Sequence, residues 1–437
     1  MNGLNKRTLR ARLRWTWLVV FGWSGAIASA GCSTAPPARA HQVPETVSQQ
    51  CPSDKWSADR LWSAVTLHRY RPRRLYDLDR RQRPIRLRSR RCSDCLAVVS
   101  YPEPKRFAGG PSGFSRMKDR SFVYDNALSA LVATALGRQA DARALLNTLV
   151  VLQRSDGAWG FSFHIKGDGF YNQGYVRAGV VAWALYAMAR YNQVFRDGRY
   201  RRSMRRAGAW LASHQDPNSG LIRGGQGRWG HQNRFEPNYL AQWVSTEHNV
   251  DAYFALRLAK RVDPDGGWLS AGLLANAIHD SLWISEQGRF ARGMSPKGLD
   301  RVTSLDAAGS WSALFAIATG RVERAKQALT WIDQKLRFTT STGPRWRPSD
   351  QVKRAVWFVE ASVALALAHR RLGQPSQSTA VSRSLSSWAC QAGLPLSYSD
   401  SWQRDYPKSP AVAPMAWWVF WLVEERSARP WLWRRQL

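Results

Sequence analysis

Residues 245–256 read Ser-Thr-Glu-His-Asn-Val-Asp-Ala-Tyr-Phe-Ala-Leu, which is the pattern of a helix start. The hydroxyl of Thr246 can cap this helix, and apolar residues follow at helical spacing. Glu247 and Asp251 stand four residues apart, so both carboxylates lie on one face. That face also carries apolar residues, which predicts two acids pointing into packed protein. Alternatively, Glu247 is a first-turn acid favoured by the helix dipole.

Two kinds of helix alternate along the chain beyond residue 121. Six helices rich in alanine and aromatic residues are predicted to start near Tyr124, Arg177, Thr246, Leu305, Ala355 and Val412. More polar, amphipathic helices are predicted between them, at residues 139–154, 199–215, 269–284, 322–336 and 376–391. Such a repeat indicates stacked hairpins with the apolar helices inside and the amphipathic helices outside. The predicted fold is therefore all-α, an (α/α)6 toroid of six helical hairpins.

The first part of the chain has a different organisation. The predicted divisions are a signal peptide (1–31), a tether (32–55), a basic N-terminal extension that packs on the toroid (56–119), and the toroid itself (120–437). Within the extension, a helix predicted at residues 57–70 can fill the sixth outer position, because no outer helix is evident after Arg426.

The extreme N-terminus has the three parts of an export signal: a basic segment, an apolar run and small residues before the cleavage site. Cleavage after Ala30 would give a soluble secreted protein, whereas cleavage before Cys32 would give a lipoprotein lipidated on that cysteine. The Ser- and Pro-containing residues 33–37 favour the lipoprotein. We therefore predict a membrane attachment through a lipid at Cys32 and a location in the cell envelope, facing the periplasm.

The formal net charge of +33 is extreme for 437 residues. Much of it is local, because arginines crowd the N-terminus and residues 69–91. No basic stripe with interleaved aromatic residues is present, so nucleic acid is not a predicted partner. Lipid headgroups or an acidic polysaccharide fit the charge better. The sequence indicates no oligomeric state.

Four cysteines remain in the exported part: Cys51, Cys92, Cys95 and Cys390. An even number in an oxidising compartment predicts up to two disulfides, whose pairing the spacing leaves open. Cys92 and Cys95 resemble half of a zinc site, but no second Cys or His pair accompanies them. We therefore predict neither a metal nor a cofactor.

Acid side chains recur where the inner helices start, namely Asp125, Glu247, Asp306 and Glu360. In a toroid these starts lie at one end and face one central cleft. Paired carboxylates in a cleft suit general acid and base chemistry on a glycosidic bond. The 23 tryptophans suit a sugar-lined cleft as well, and the glycine-rich residues 216–243 are predicted to line it. The residues predicted to contact substrate are Tyr124, His248, Asp251, Trp159, Trp229, Trp243 and Trp311.

The alternating hairpins, together with Tyr-Asp-Asn-Ala at 124–127, Thr-Glu-His-Asn-x-Asp at 246–251 and Leu305-Asp306 followed by Trp311, resemble the six-hairpin (α/α)6 glycosidase superfamily. The resemblance covers residues 121–425 and is closest to exported bacterial members. It implies a carbohydrate-active enzyme, since the superfamily includes hydrolases, lyases and epimerases. It also implies that the four helix-start acids are the catalytic positions.

The function predicted from the sequence is an envelope-anchored glycoside hydrolase that acts on a polysaccharide or oligosaccharide. A polysaccharide lyase using Tyr124, His248 or Tyr253 as base is one alternative. Another is a non-catalytic polysaccharide-binding lipoprotein that serves exopolysaccharide synthesis or export. Gln153-x-x-x-Gly157-x-Trp159 also matches the repeat motif of terpene cyclases, but it occurs clearly once and without an Asp-rich protonating motif.

Overall fold

The computed structural model describes residues 58–66, 69–70, 76–78, 84–86, 94–101, 120–165, 174–229, 235–392, 410–427 and 429–433. The predicted signal peptide and tether, including Cys32, lie outside these residues. No helix in the described ranges is both long enough and apolar enough to cross a membrane.

The helices form an inner and an outer layer. The inner helices are α2 (Val123–Ala135), α4 (Ala178–Phe195), α6 (Thr246–Val262), α8 (Trp311–Ala318), α10 (Val359–Arg371) and α12 (Val412–Ser427). The outer helices are α1 (Ala58–Thr66), α3 (Gln139–Leu152), α5 (Arg201–Ser213), α7 (Ala271–Ser281), α9 (Val322–Leu336) and α11 (Pro375–Ala392). A short 3-10 turn at Gly198–Tyr200 precedes outer helix α5, and a π-helical turn at Leu305–Ser310 precedes inner helix α8.

The inner helices close into a ring within the described part of the chain. Each inner helix packs against the next, and α12 returns to pack against α2. Each of α3, α5, α7, α9 and α11 packs against the inner helix that precedes it, and α1 packs against α12. The predicted (α/α)6 toroid is therefore confirmed. Because every outer helix runs back before the next inner helix begins, the inner helices are parallel and their N-termini share one end.

Short antiparallel strands connect the helices, a feature that the all-α prediction did not include. They form two-stranded and three-stranded sheets in the described ranges. The two-stranded sheets are β1 (Arg69–Tyr70) with β4 (Ala97–Val98), β2 (Tyr76–Leu78) with β3 (Pro84–Arg86), β5 (Arg120–Phe122) with β6 (Ser162–His164), β11 (Trp283–Ile284) with β12 (Arg289–Phe290), and β15 (Arg337–Thr340) with β16 (Gly343–Trp346). The three-stranded sheets are β7 (Val176–Arg177), β8 (Gly225–Trp229) and β9 (Phe235–Leu240), and β10 (Val244–Ser245), β13 (Gly293–Ser295) and β14 (Gly298–Asp300).

Strands β5, β7 and β10 each run directly into an inner helix, so they fix where that helix starts. Within the glycine-rich residues 216–243, strands β8 and β9 pair with each other, and β8 also pairs with β7. The glycines of this segment serve backbone pairing: Gly225 has φ +130°, and a Cβ there would lie 2.2 Å from the carbonyl oxygen of Val176. Only glycine combines this conformation with so close an approach.

The predicted cap of α6 is wrong by one residue. Ser245 is the N-cap, and its hydroxyl accepts a hydrogen bond from the backbone N–H of His248 (3.4 Å). Thr246 instead donates its hydroxyl to the carbonyl of Ala291 (2.6 Å) and so ties the helix to the neighbouring connection. The shift arises because Ser245 still belongs to strand β10, whose extended backbone is the conformation that a cap requires.

Helix α10 begins at Val359, four residues after the predicted start at Ala355. The preceding residues stay extended because the N–H of Phe358 bonds to the carbonyl of Trp346 at the end of β16 (3.0 Å). Glu360 consequently occupies the first turn of the helix rather than its second.

Residues 94–101 of the N-terminal extension pack on the first hairpin. The N–H of Leu96 bonds to the carbonyl of Ala144, and the hydroxyl of Thr148 bonds to the carbonyl of Leu96. The N–H of Val98 bonds to the side chain of Asn126 in α2 (3.2 Å). Cys95 is disulfide-bonded, and each other cysteine lies where the structure describes no side chain, so the predicted pairing stays open.

The chain after α12 turns back into the ring. The side chain of Glu424 accepts hydrogen bonds from the N–H groups of Trp431 (3.0 Å) and Leu432 (3.2 Å). Arg371 forms a buried ion pair with the same carboxylate and also donates to the carbonyl of Trp433 (3.1 Å). These contacts hold Trp433 inside the toroid, where it is 1% exposed.

Candidate functional site

Five carboxyl groups meet at the end of the ring where the inner helices start. Asp125, Glu247 and Glu360 lie in the first turns of α2, α6 and α10. Asp306 lies in the π-helical turn before α8, and Asp251 lies in the second turn of α6. The electrostatics connect them, because Asp306, Asp251 and Glu360 all act on Glu247. No described lysine or arginine forms a salt bridge with any of the five.

Burial raises the pKa of every carboxyl in this group, because the charged form loses its water. The pKa of Asp125 rises from 3.8 to about 7, with the hydroxyl of Ser100 offsetting part of the shift. Burial, together with Asp125 and Asp306, raises the pKa of Glu360 to about 8, although Tyr124 opposes this. Protonated and ionised carboxyl groups can therefore coexist here near neutral pH.

Glu247 and Asp306 differ most in their surroundings. Glu247 is 2% exposed, and burial followed by the nearby charge of Asp306 raises its pKa well above 4.5. Asp306 is the one carboxylate of the five that is partly exposed, and its Oδ1 accepts a hydrogen bond from the N–H of Ala307 (2.6 Å). Burial raises its pKa too, but the Ala307 amide and the charge of Arg292 oppose the shift. Of the two, Asp306 is the one better suited to carry a negative charge.

Glu360 is held by an aromatic network rather than by a cation. The hydroxyl of Tyr124 donates to its Oε1 (2.5 Å), and the indole N–H of Trp417 donates to that hydroxyl (2.9 Å). The second oxygen, Oε2, is buried and has no partner among the described residues. A buried oxygen without a partner is costly, and it marks a position where a ligand hydroxyl would form a favourable hydrogen bond.

His248 lies on the same helix as Glu247 and is 1% exposed. Neither ring nitrogen has a hydrogen-bond partner among the described residues. Burial and the charge of Arg177 lower its pKa to about 3, so the ring is neutral. Gly179 of α4 makes room for it, since a Cβ there would lie 2.6 Å from Cδ2 of His248 and 3.0 Å from Oδ2 of Asp251.

Asp251 faces the aromatic side of the site. Burial raises its pKa well above 3.8, and Trp311 and Trp183 oppose part of that shift. The prediction of Trp311 at the site is thus consistent with its position, although the same ring also packs against Trp417 with centroids 4.7 Å apart. Trp243 is half-buried beside His248, with ring centroids 6.1 Å apart.

Trp433, which the sequence analysis did not select, forms the floor of this aromatic group. Its ring stacks on Phe254 (4.5 Å between centroids, 4° between planes) and lies 5.3 Å from Trp183 and 5.6 Å from Trp417. The signal in the sequence was the Trp-Leu-Trp at 431–433 directly after the last helix. Nothing in that triplet shows that the chain turns back into the ring.

The structure places Trp159, one of the residues predicted to contact substrate, against an outer helix. It is fully buried and donates its indole N–H to the carbonyl of Leu149 in outer helix α3 (2.6 Å). The Gln153-x-x-x-Gly157-x-Trp159 motif has a structural role here. The side chain of Gln153 donates to the carbonyls of Gly157 (2.8 Å) and Ser203 (2.9 Å) and so links this loop to outer helix α5.

Two further tryptophans of the connecting segments, Trp268 and Trp346, have structural contacts. Trp268 packs on the glycines of α5 and its own loop, and Trp346 is buried with its indole N–H donating to Asp333 (2.7 Å). The side chain of Trp229, which was predicted to contact substrate, lies outside the described positions.

Sequence reasoning also missed the residues that the N-terminal extension brings to the site. Ser100 and Tyr101 are buried beside Asp125, and the hydroxyl of Ser100 accepts a hydrogen bond from the N–H of Phe122 (2.8 Å).

In the described ranges, no three His, Cys, Asp or Glu side chains are arranged to hold a metal ion.

Several solved structures have a similar architecture. A family 76 glycoside hydrolase from a bovine Bacteroides thetaiotaomicron strain superposes with a TM-score of 0.53 at 10% identity, covering 85% of this chain and 76% of the other. Cellobiose 2-epimerase from Bacillus thermoamylovorans gives 0.52 at 10% identity (70% and 88%). The unsaturated glucuronyl hydrolase of Bacillus sp. GL1 gives 0.50 at 9% identity (72% and 89%).

At these identities the superpositions show the fold alone. The chain thus has the six-hairpin (α/α)6 toroid that these enzymes share. No protein-family model matches the sequence, and no curated protein is similar to it in sequence.

Proposed function

We propose that this protein is a glycoside hydrolase that acts on a polysaccharide or oligosaccharide. The observation that carries the proposal is the group of five carboxyl groups at one end of the ring, with raised pKa values and no cationic partner in the described part. Hydrolysis of a glycosidic bond requires one protonated carboxyl and one ionised carboxylate on either side of the bond.

Glu247 and Asp306 are the pair to which we assign these roles. Burial and the nearby charge of Asp306 raise the pKa of Glu247, which favours its protonated form, and this carboxyl would donate its proton to the leaving oxygen. Asp306 is partly exposed, bonded to a backbone N–H and therefore better able to hold a negative charge, so it would activate water or attack the anomeric carbon. Two carboxyl groups whose surroundings push their pKa values apart are the usual basis of such an assignment.

Asp125, Asp251 and Glu360 would then bind and orient the sugar. Glu360 and Tyr124 form one hydrogen-bonded unit, and the unpartnered Oε2 of Glu360 is free to bond with a sugar hydroxyl. The aromatic group around Trp311 and Trp433 would give the cleft the apolar surface that ligand sites combine with a few polar groups.

Two further considerations support a carbohydrate substrate and an envelope location. The solved proteins with this fold are, by name, a glycoside hydrolase, an epimerase of cellobiose and a hydrolase responsible for the degradation of glycosaminoglycan. The export signal and Cys32 favour a lipid-anchored protein in the periplasm. Cell fractionation with metabolic labelling by radioactive palmitate tests the anchor.

The test of activity is the release of reducing ends from a panel of bacterial and plant polysaccharides. With a cleaved polymer in hand, Glu247→Gln and Asp306→Asn should each lower kcat by about 10²–10⁴-fold, because each removes one proton-transfer or nucleophilic group. Glu323→Gln is the matched control, since this exposed glutamate lies on outer helix α9 and should leave kcat unchanged.

The other outcomes discriminate the rival functions. Ultraviolet absorbance of an unsaturated product, appearing with the reducing ends, would establish a lyase. The pKa of about 3 for His248 argues against that outcome, because so weak a base abstracts a carbon-bound proton poorly. Binding of a polymer without cleavage by any form of the protein would overturn the enzyme proposal and favour a binding lipoprotein.

A further inference from the structure

A buried arginine stands at the start of inner helix α4, at the same end of the ring as the carboxyl groups. Arg177 is the N-cap residue of α4 and is 7% exposed. Its Nη1 donates to the carbonyls of Val176 (2.7 Å), Gln226 (3.1 Å) and Gly227 (3.2 Å). Its guanidinium carbon lies 3.7 Å from the centroid of the Tyr175 ring. These partners are neutral, and no described Asp or Glu forms a salt bridge with Arg177, so the side chain is fixed while its positive charge is kept.

The stability of the helix does not explain a cation at this position. The N-terminus of a helix carries a positive partial charge, so it favours anions and disfavours a cationic side chain. Arg177 places a cation there, and its side chain forms no capping hydrogen bond with the helix. Burial adds a desolvation cost, which lowers the pKa of Arg177 from its ordinary value. An anion bound beside the guanidinium and the N-terminus of α4 would offset both costs.

Two aromatic side chains lie beside this arginine. The ring centroid of Trp243 is 5.6 Å from the guanidinium carbon of Arg177 and 6.1 Å from the ring centroid of His248. Neither ring nitrogen of buried His248 has a hydrogen-bond partner among the described residues. A neutral imidazole has one nitrogen that donates and one that accepts, so His248 can bond to a hydroxyl group in either direction.

Glycines provide the space that these two rings occupy. A Cβ on Gly224 would lie 2.0 Å from the ring of Trp243, and a Cβ on Gly179 would lie 2.6 Å from Cδ2 of His248. The N–H of Gly224 also donates to the carbonyl of Trp243 (2.8 Å), and its carbonyl accepts from the N–H of Ala178 in α4 (3.1 Å). Trp243 is therefore fixed beside the start of the helix that Arg177 caps.

We propose that Arg177, Trp243 and His248 form a subsite for a sugar that carries a carboxylate, namely a hexuronate. The planar fork of arginine donors matches the two oxygens of a carboxylate. The indole ring of Trp243 would pack on the sugar, and His248 would bond to one of its hydroxyl groups. This role for Arg177 rests on the proposed function, because it takes the carboxyl-rich end of the ring as the place where sugars bind. It adds the substrate class, an acidic polysaccharide or oligosaccharide.

The experiment is isothermal titration of matched methyl glycosides into the full chain. The glucuronide, galacturonide and mannuronide are each compared with the neutral hexoside of the same configuration. Wild-type protein should bind at least one uronide about tenfold or more tightly than its hexoside, because hydrogen bonds to a charged group are the stronger ones. The methyl ester of that uronide should bind no better than the hexoside.

The protein variant removes the charge of the subsite instead of the charge of the ligand. Arg177→Gln should bind the uronide and the hexoside equally. Arg202→Gln is the matched control, because it removes one arginine charge from an exposed position on outer helix α5 and should keep the preference. If Arg177→Gln fails to fold, the methyl ester still tests the pairing in the wild-type protein.

A wild-type protein with no preference for any uronide would overturn the proposed subsite. A preference that survives in Arg177→Gln or with the methyl ester would do so too, as would an equal loss in Arg202→Gln, which would assign the effect to the net charge of the protein.

Binding is measured without turnover, so the outcomes also separate the subsite from the hydrolase. A uronide preference that depends on Arg177, in a protein that cleaves no polymer, would overturn the hydrolase and support the subsite. Cleavage of neutral polysaccharides without a uronide preference would support the hydrolase and overturn the subsite.

Discussion

The two ends of the helical ring treat buried charge in opposite ways. Where the inner helices start, five carboxyl groups crowd together with no described cation in an ion pair with them. Where the inner helices end, the buried carboxylate of Glu424 is fully engaged by Arg371 and by two backbone N–H groups. Buried charge that is paired and hydrogen-bonded serves the fold, whereas carboxyl groups left protonated and unpaired cost stability and are typical of a functional site.

The aromatic group between the two ends explains how they coexist. Trp183, Trp311, Trp417 and Trp433 have ring centroids within 6.1 Å of at least one other member of the group. These rings are buried, and burial is also the largest cause of the raised carboxyl pKa values. The C-terminal segment supplies Trp433, so the ion pair at one end supports the environment of the other.

We expect the largest loss of stability from a substitution of Glu424, the buried acid that is paired. Glu424→Gln removes the partner of buried Arg371 and weakens the hold on residues 431–433, so the free energy of unfolding should fall by about 3–5 kcal/mol. Urea unfolding measures the change. Glu425→Gln, at the exposed neighbouring position, is the control and should change stability by less than about 0.5 kcal/mol. A similar, small effect in both variants would contradict the structural role of the pair.

Features that depend on local sequence could be predicted, whereas features that depend on distant contacts could not. The helix starts and their acids were predictable, because helical periodicity and first-turn acids are local signals; Glu247 and Asp306 needed no distant contact to be selected. The strands before α2, α4 and α6 were not predictable, since segments of two or three residues carry no period. The error at Thr246 has this cause: strand β10 runs through Ser245 and shifts the cap.

Tertiary placement accounts for the remaining differences. Trp159 and Trp243 both follow glycine-containing loops in the sequence, yet one packs under α3 and the other borders His248. Trp433 and the pair Ser100 and Tyr101 reach the site from segments outside the helical repeat. No pattern within those segments encodes their destination, because their contacts are made with other elements of the fold, such as Phe122 for Ser100 and Phe254 for Trp433.

At Glu360 we expect an effect of opposite sign, a gain in the free energy of unfolding at high pH when the acid is replaced. Its pKa is raised from 4.5 to about 8, so the folded protein binds this proton more tightly than the unfolded chain does. The stability that the protonated form contributes is complete below pH 4.5 and is lost as the pH rises through 8. For this group the loss reaches up to about 1.4 kcal/mol per pH unit.

Glu360→Gln is neutral at every pH and keeps an oxygen that can accept the Tyr124 hydroxyl bond. Urea unfolding at pH 5, 6, 7 and 8 should therefore show a flatter dependence on pH in the variant, which should be the more stable protein at pH 8. The pKa values of the other four acids are raised as well, so they also make the stability of the wild-type protein fall as the pH rises. Parallel curves for the two proteins would mean that Glu360 is ionised in the folded state.

We expect the smallest loss of stability from a substitution of Arg138, which forms an exposed ion pair at the end of the ring where the inner helices end. Comparing it with Glu424→Gln tests whether burial or ion pairing stabilises this end. Arg138 follows α2 and pairs with Asp59 of α1 at 3.0 Å, but the two side chains are 41% and 69% exposed. Water and salt screen such a pair, so Arg138→Gln should lower the free energy of unfolding by less than about 1 kcal/mol, and less still in high salt. Urea unfolding at low and high salt checks both statements. If this loss matched that of Glu424→Gln, the ion pair itself, rather than its burial beneath Trp433, would be what stabilises this end of the ring.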